Sequence, residues 1–315
     1  MTVFDLVAHS VLNFPFQGDI VRKGWTECLV IGDTRCGKSE TVDKLFQHYR
    51  CGELITGENA SYAGLVGGLQ QTQKTWSITW GKLPLSDRRM CGIDELSGLE
   101  QAIIGRMSGI RSSGVAEIIK IQMEKTLARV RIIWMSNPRG KLPLAAFNSG
   151  IDAIQNLIGA PEDIARFDLA LTVATNEVPL NIINSSKRDT AEHVYTTDVC
   201  RRLVYWAWSR KPGQVVFSRA ATEAVLSHAT DLSRRYVAPL VEGAEQRIKV
   251  ARLSVAAAAR VFSASSDGQT VLVEPEHVEF VAQFLDEIYC KPSMAYDRHS
   301  RAKIQEGSIN GKQEV

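Results

Sequence analysis

The sequence predicts an α/β fold in which a mostly parallel sheet lies between helices and is followed by a small all-helical lid domain. Four short apolar runs alternate with segments of helical periodicity, at residues 27–31, 90–93, 130–135 and 169–173. Strands that are buried on both faces of a parallel sheet give continuous apolar runs of this kind. Beyond about residue 190 only helical spacing recurs, and this change marks the second domain.

The helical region contains three segments with one apolar face each, at residues 197–208, 218–236 and 244–262, and a fourth that begins at Pro275 and runs to about Tyr289. Proline suits the first position of a helix because that position has no intrahelical partner for a backbone N–H. From Lys291 onward the chain is polar and aperiodic. We therefore expect an α/β domain over residues 1–188, a lid domain over residues 189–290 and a flexible tail over residues 291–315.

Composition limits the functional classes only loosely. The 315 residues are 44% hydrophobic and 23% charged, which suits two domains with a buried core. The net charge of +2 neither demands nor excludes a nucleic-acid partner. The six cysteines form no CxxC pair, which argues against a disulfide framework and for a reducing compartment, the cytoplasm or wherever DNA lies. No apolar run reaches the roughly 18 residues that a membrane span needs, so we expect no membrane partner.

The strongest motif is a glycine-containing loop between the first apolar run and the helical segment that follows it. Residues 32–39 match G-x-x-x-x-G-K-[ST], and their order is Gly32, Asp33, Thr34, Arg35, Cys36, Gly37, Lys38 and Ser39. Backbone N–H groups of such a loop wrap phosphate oxygens, and the dipole of the following helix points at the same anion. Lys38 is expected to reach the β and γ phosphates and Ser39 to hold magnesium. The sequence therefore predicts a binding site for ATP and Mg²⁺.

Two further apolar runs end in polar residues that suit ATP hydrolysis. Asp94 and Glu95 close the second run, where Asp94 would complete the magnesium shell and Glu95 would act as general base on the attacking water. Asn137 closes the third run and is placed to align that water. Taken alone, the two acids would be a solvated strand end and Asn137 a turn residue before proline. The phosphate loop upstream favours the catalytic interpretation.

Arg166 stands just ahead of the fourth apolar run, in the sequence Arg-Phe-Asp. An arginine at this point can project from one subunit toward the ATP of its neighbour, where it would stabilise the charge that develops during hydrolysis. An isolated arginine is more often a solvated surface residue. The motifs that precede Arg166, taken together, favour the first interpretation.

Together these residues resemble the AAA+ domain of the minichromosome maintenance (MCM) helicases. Gly57-Glu-Asn-Ala-Ser-Tyr-Ala-Gly-Leu65 is similar to the family segment after the first helix, and residues 80–87 are similar to the stretch before its acidic strand. Residues 118–138 follow the family pattern without a gap, with Lys120 on the hairpin lysine and Asn137 on the sensor asparagine. Arg166-Phe-Asp-Leu is similar to the arginine-finger motif. The resemblance covers most of residues 25–175.

The resemblance implies a homo-oligomeric ring, a hexamer in the family, with ATP bound between subunits. Arg166 would then reach the site of the next subunit, and Lys120 would lie at the tip of a pore hairpin that grips DNA. Without the family, an exposed lysine is a solvated charge. Five other cations make residues 106–131 the basic stretch that we expect to contact phosphate, namely Arg106, Arg111, Lys125, Arg129 and Arg131.

Three departures from the family pattern qualify this interpretation. Only a short segment precedes the first predicted strand, so the DNA-gripping collar of the family is either supplied by a separate accessory protein or not used. Glu245 falls where the second-sensor arginine belongs, and Arg247, half a helical turn away, is the substitute candidate for nucleotide binding; a solvated helix face is the alternative. Arg35 and Cys36 replace small residues of the family's phosphate loop.

These observations favour an ATP-hydrolysing DNA helicase or translocase. A second reading keeps the ATPase but makes it a protein-remodelling machine similar to MoxR-type chaperones or chelatase motor subunits, a role that a collarless chain suits. A third reading is a nucleotide-gated structural module. The presence of Asp94, Glu95 and Arg166 argues against the third, because a module that does not hydrolyse ATP has no need of them.

Overall fold

The computed structural model describes residues 1–72, 75–121, 123–177 and 195–310. Its strands are β1 (Phe14–Phe16), β2 (Asp19–Val21), β3 (Glu27–Gly32), β4 (Glu53–Thr56), β5 (Gly67–Thr72), β6 (Thr75–Trp80), β7 (Met90–Asp94), β8 (Val115–Ile119), β9 (Met123–Leu127), β10 (Arg131–Ser136), β11 (Leu169–Val173), β12 (Val215–Phe217) and β13 (Val271–Val273). Its α-helices are α1 (Thr2–Ala8), α2 (Lys38–Tyr49), α3 (Tyr62–Leu65), α4 (Lys82–Leu85), α5 (Gln101–Arg106), α6 (Ser108–Ser113), α7 (Gly150–Ile158), α8 (Pro161–Ala165), α9 (Thr197–Trp208), α10 (Arg219–Arg235), α11 (Gly243–Arg260), α12 (Pro275–Tyr289) and α13 (Tyr296–Asn310).

The central sheet has the strand order β11-β3-β10-β7-β4, and every neighbouring pair is parallel. All six residues of β3 and all six of β10 are buried, which explains their continuous apolar sequences. The four predicted strands are confirmed to within a residue or two at their ends. The edge strand β4 was not predicted, because three of its four residues are exposed and its sequence Glu-Leu-Ile-Thr carries no continuous apolar run.

The helical lid follows the sheet domain along the chain. Helices α9 and α12 have the predicted bounds, and α10 and α11 differ from prediction by one or two residues at their ends. Helix α11 is buried along most of its length and contacts α10, α12 and the N-terminal helix α1. The predicted boundary between residues 188 and 189 lies outside the described residues. Among the described residues, no helix is both long and apolar enough to cross a membrane.

The segment after Lys291 differs from the expected flexible tail. Met294, Ala295 and Tyr296 are buried, and the Tyr296 hydroxyl donates to the Val237 carbonyl and accepts from the Val241 N–H at 3.0 Å. Helix α13 then continues to Asn310, the last residue that the structure describes. Three consecutive anchoring residues show no periodicity, so the sequence pattern gave no sign of this docking.

Candidate nucleotide site and nucleic-acid interface

The phosphate loop connects the buried strand β3 to helix α2. A Cβ atom on Gly32 would lie 2.5 Å from the Val173 carbonyl oxygen, so the close approach of β11 requires glycine there. Gly37 has a left-handed backbone with φ of 73° just before the helix begins at Lys38. A pocket of about 270 Å³ lies over the loop, lined by Thr34, Arg35, Cys36, Gly37, Lys38, Ser39, Glu40, Asp94, Glu95, Ser136 and Asn137.

Lys38 lies at the floor of this pocket. Its Nζ donates to the carbonyl oxygens of Gly32 at 3.1 Å and Asp33 at 2.7 Å, and to Asn137 Oδ1 at 2.8 Å. Burial lowers the pKa of Lys38, and the nearby Asp94 and Asp33 partly offset that effect. The amine therefore lies in the pocket with each of its three N–H donors engaged by protein oxygens.

Asp33 has a different position from the other loop residues. Its carboxylate accepts from the Leu144 N–H at 2.8 Å and from both the N–H and the hydroxyl of Thr175 at 3.1 Å. Burial would raise the pKa of Asp33, but these donors and Lys38 outweigh it and hold the pKa below its usual value. Asp33 and Gly32 do not line the pocket, so this acid braces the loop from behind.

Asp94 and Glu95 meet the phosphate loop because β7 lies two strands from β3 in the sheet. Glu95 adopts a left-handed backbone with φ of 52°, and its N–H donates to Asp94 Oδ1 at 2.9 Å. Burial, Glu58 and Asp94 all raise the pKa of the exposed Glu95 carboxyl. Sequence reasoning missed Glu58 as a neighbour of Glu95, although it stands within the Gly57–Leu65 segment.

Asn137 follows the last residue of β10, whose Ser136 pairs with Ile31 of β3. Ser136 Oγ accepts from the Ser97 N–H at 2.8 Å, which ties the end of β10 to the loop after Glu95. Arg139 strengthens this connection by donating to the carbonyl oxygens of Ser97 and Leu99 at 2.7 and 2.6 Å. This bracing role of Arg139 was not predicted, and only its position after Asn137-Pro138 hints at it.

The residues present fit a triphosphate with a hard cation. Open space lies beside Gly37 on the side where a Cβ would project, so the backbone can approach phosphate closely. A hydroxyl, Ser39, and a carboxylate, Asp94, line the same pocket as the Lys38 amine. Oxygen donors of this type are those that Mg²⁺ prefers when substrate phosphates complete its shell.

Arg166 lies away from this pocket. It follows helix α8, and its side chain lines a separate cavity of about 650 Å³ between the sheet domain and the lid. Its Nε lies 3.6 Å from Asp163 Oδ1 and has no hydrogen-bond partner among the described residues. The structure therefore does not bring Arg166 and the phosphate loop together within one chain.

A buried charge network surrounds the base of Arg166. Arg111 Nε donates to Glu27 Oε1 at 2.6 Å, and Arg252 of the lid is paired with Asp168. Asp168 also accepts from the Glu27 N–H at 2.7 Å. Because Asp168 stands two residues after Arg166, the lid helix α11 is fastened directly to the segment that carries Arg166.

The lid residues near the second-sensor position lie on different sides of helix α11. Glu245 is exposed and lines the same cavity as Arg166, together with Glu242 and Lys249. Arg247 is also exposed but lines neither that cavity nor the phosphate-loop pocket. Residues two apart on a helix point about 200° apart, which explains the separation.

Lys120 lies in the turn of an antiparallel hairpin formed by β8 and β9, and it is exposed. Apolar side chains surround it at the tip, where Ile119, Ile121 and Met123 are 66%, 74% and 64% exposed. A second hairpin, β5 and β6, lies beside the first and was not predicted. A groove of about 850 Å³ runs along the first hairpin and includes Lys120 and Lys125 among its lining residues.

The expectation of a basic phosphate-contacting stretch around this hairpin is wrong for the two members that are buried, and two further members are held in ion pairs. Arg111 and Arg131 are 1% and 0% exposed, because their guanidinium groups pair with Glu27 and with the Ser10 carbonyl. Arg129 forms a two-pronged ion pair with Asp87 at 3.0 and 2.7 Å. Lys125 is ion-paired with Glu117 at 2.8 Å. Arg106 is exposed in the same groove, with its guanidinium over the Tyr62 ring. Lys120 is the exposed cation at the hairpin tip itself.

The all-parallel sheet, with the phosphate loop after one strand and Asp94-Glu95 and Asn137 after two others, defines an AAA+ P-loop fold. The family model described as the MCM P-loop domain matches residues 14–195, more than half of the chain. The chain belongs to the MCM P-loop family.

Individual relatives match at low identity. The chain is 26% identical over 157 residues to "DNA replication licensing factor MCM4" of Arabidopsis thaliana, and the aligned region covers 49% of this chain and 17% of that protein. It is 25% identical over 197 residues to "DNA helicase MCM8" of Xenopus laevis, which covers 60% and 22%. For "DNA replication licensing factor mcm2" of Xenopus tropicalis the identity is 25% over 170 residues, and the coverage is 50% and 18%. The chain thus matches about a fifth of the length of these relatives.

Proposed function

We propose that this chain is an ATP-hydrolysing motor that assembles into a ring, with ATP between subunits, and moves along DNA as a helicase or translocase. One observation carries the ring: the predicted hydrolytic groups of one chain share one pocket, except Arg166, which lines a different cavity. An arginine can act on that pocket from a neighbouring copy, and closed rings are built from such head-to-tail contacts.

Five residues of the pocket have a defined task in this proposal. Lys38 would hold the β and γ phosphates, and Ser39 and Asp94 would hold Mg²⁺, whose positive charge would offset the negative charge of the phosphates. Glu95 takes a proton from the attacking water as general base. Asn137, which already contacts Lys38, orients that water. Arg166 of the neighbouring subunit stabilises the transition state, and Arg247 remains the candidate cation of the lid.

The DNA substrate is supported by the hairpin and by the relatives. Lys120 is the exposed cation at the tip of a projecting hairpin, and a single lysine binds backbone phosphate without sequence preference. Relatives that match this chain are described as a DNA helicase and as DNA replication licensing factors. Single-stranded DNA that threads the ring would therefore contact one Lys120 from each subunit.

The test is steady-state ATP hydrolysis with and without single-stranded DNA. We expect DNA to stimulate wild-type turnover, and we expect Lys120→Ala to remove the stimulation but keep basal turnover, because the hairpin contributes nothing to the pocket. Lys211→Ala, an exposed lysine of the lid, is the matched control and should respond to DNA like the wild type. A stimulation that survives in Lys120→Ala would contradict the role of the hairpin.

A protein substrate is the second candidate, because the hairpin tip exposes Ile119, Ile121 and Met123 around its lysine. Apolar side chains of this kind bind unfolded polypeptide by burying its hydrophobic residues. Turnover that ignores DNA but rises with an unfolded protein, and that still requires Arg166, would reject the helicase and favour protein remodelling.

A further inference from the structure

We propose that Arg35 of the phosphate loop forms an ion pair with Glu245 on the lid of the neighbouring subunit, so that the ring is closed by a charge pair across each nucleotide site. This inference rests on the proposed ring. It concerns two positions at which the sequence departs from the MCM pattern, a large cation in the phosphate loop and an acid in the second-sensor position.

Arg35 is available for a partner outside its own chain. It lies in the phosphate loop with φ of 65°, is exposed, and lines the pocket with Lys38 and Glu95. Within the part of the chain that the structure describes, Arg35 has no ion pair and no side-chain hydrogen bond. A non-glycine residue with positive φ is uncommon and costs backbone energy. The cost is explained if the long side chain has a task at the rim of the pocket.

Glu245 is available in the same way on the other face. It is exposed at the start of helix α11, and among the described residues its side chain has no ion pair or hydrogen bond. It lines the cavity that also contains Arg166, and Arg252 of the same helix is paired with Asp168 beside that arginine. Glu245 and Arg166 are therefore held on one face by a common framework.

The two faces become complementary when Arg166 serves a neighbouring pocket. Because Glu245 lines the same cavity as Arg166, a packing that brings Arg166 to the triphosphate also brings Glu245 toward the rim of that pocket. An unpaired carboxylate there would be repelled by the phosphates. Arg35, on that rim, supplies the opposite charge. Arg247, on the other side of helix α11, does not share this cavity.

The experiment is a double-mutant cycle on assembly. The concentration for half-maximal ring formation is measured by sedimentation with a non-hydrolysable ATP analogue, for the full chain and for Arg35→Ala, Glu245→Ala and the double variant. We expect each single substitution to raise this concentration about tenfold and the double variant to be no worse than a single one, the behaviour of a close interfacial charge pair. The control cycle combines Arg35→Ala with Glu279→Ala, an exposed acid on helix α12, and should be additive.

Charge reversal gives a second readout. Arg35→Glu and Glu245→Arg should each impair assembly more than the alanine variants, and the combination should assemble better than either. Additive effects in the first cycle, or a combined reversal worse than both single ones, would overturn the pairing and leave Glu245 as an acid that interacts with its own helix dipole. A wild-type chain that forms no ring would reject the pairing together with the proposed function. If mixed rings of Lys38→Ala and Arg166→Ala subunits recover ATP turnover while the double-mutant cycle is additive, the pairing alone would be rejected and the proposed ring would stand.

Discussion

The region around the phosphate-loop pocket, here called the phosphate-loop face, and the region around the cavity that Arg166 lines, here called the Arg166 face, are built in different ways. On the first, Lys38, Asp94 and Asn137 meet because they follow strands of one parallel sheet. On the second, Arg166 is fixed by a buried network that joins residues far apart in sequence, such as Glu27, Asp168 and Arg252. The predicted phosphate-binding residues are thus positioned by the ends of parallel strands, whereas Arg166 is positioned by ion pairs that include a residue of the lid.

The largest expected effect tests whether the two faces act on one another between subunits. Lys38→Ala and Arg166→Ala should each reduce ATP turnover by about 10³-fold, because one removes a phosphate ligand and the other the arginine finger. In an equimolar mixture roughly a quarter of interfaces pair an intact Lys38 with an intact Arg166. Turnover of the mixture should therefore recover far above that of either variant.

The control is a mixture of Lys38→Ala with Glu95→Gln. Lys38 and Glu95 line the same pocket of one chain. Every pocket in this mixture therefore lacks either Lys38 or Glu95, whichever subunit lies next to it. That mixture should stay inactive. Co-assembled Lys38→Ala and Arg166→Ala subunits without recovered turnover would show that Arg166 does not serve the neighbouring pocket.

The two faces also differ in how well their sequences predict them. Apolar runs predicted four of the five strands of the sheet, and the phosphate-loop motif identified Lys38. Polar residues at strand ends then identified Asp94 and Asn137, because side chains after parallel strands converge at one edge. The environment of Arg166 was not predictable in this way. Arg111 looked like a surface cation, and only its pairing with Glu27, 84 residues away, shows that it is buried. Long-range pairing of charges leaves no periodic signal.

The Arg166 face predicts a stability effect that depends on pH. Lys249 is 4% exposed beneath the cavity, and burial, opposed by Asp168 and reinforced by Arg252, lowers its pKa to about 8. A shift from 10.5 to about 8 corresponds to a cost of about 3 kcal/mol for keeping the amine charged at pH 7. Lys249→Met loses the hydrogen bond to the Leu240 carbonyl, worth about 1 kcal/mol, so we expect a net gain of about 2 kcal/mol.

The sign follows from proton uptake. Between pH 8 and 10.5 the unfolded lysine binds more protons than the folded one, so wild-type stability should rise relative to Lys249→Met as pH increases. Urea unfolding at pH 7 and at pH 10 measures both the stability gain of Lys249→Met and its change with pH. Arg247→Met, on the exposed side of the same helix, is the control. An advantage of Lys249→Met that is the same at both pH values would show that folding does not change the pKa of the amine, so that burial does not disfavour its charge.

The phosphate-loop face should respond more weakly, because its braces are partly solvated. Asp33→Ala removes the acceptor for Leu144 and Thr175 and should cost about 1 kcal/mol of unfolding free energy at pH 7. A looser loop should also raise KM for ATP more than it lowers kcat. Since the pKa of Asp33 is lowered in the folded state, its contribution is present above the unfolded pKa near 4 and is lost as pH falls through the folded value. Wild-type and Asp33→Ala stabilities should therefore converge in acid. A gap of constant size would assign the loss to backbone packing, and the loop would then be held by its strand alone, unlike the ion-paired segment that carries Arg166.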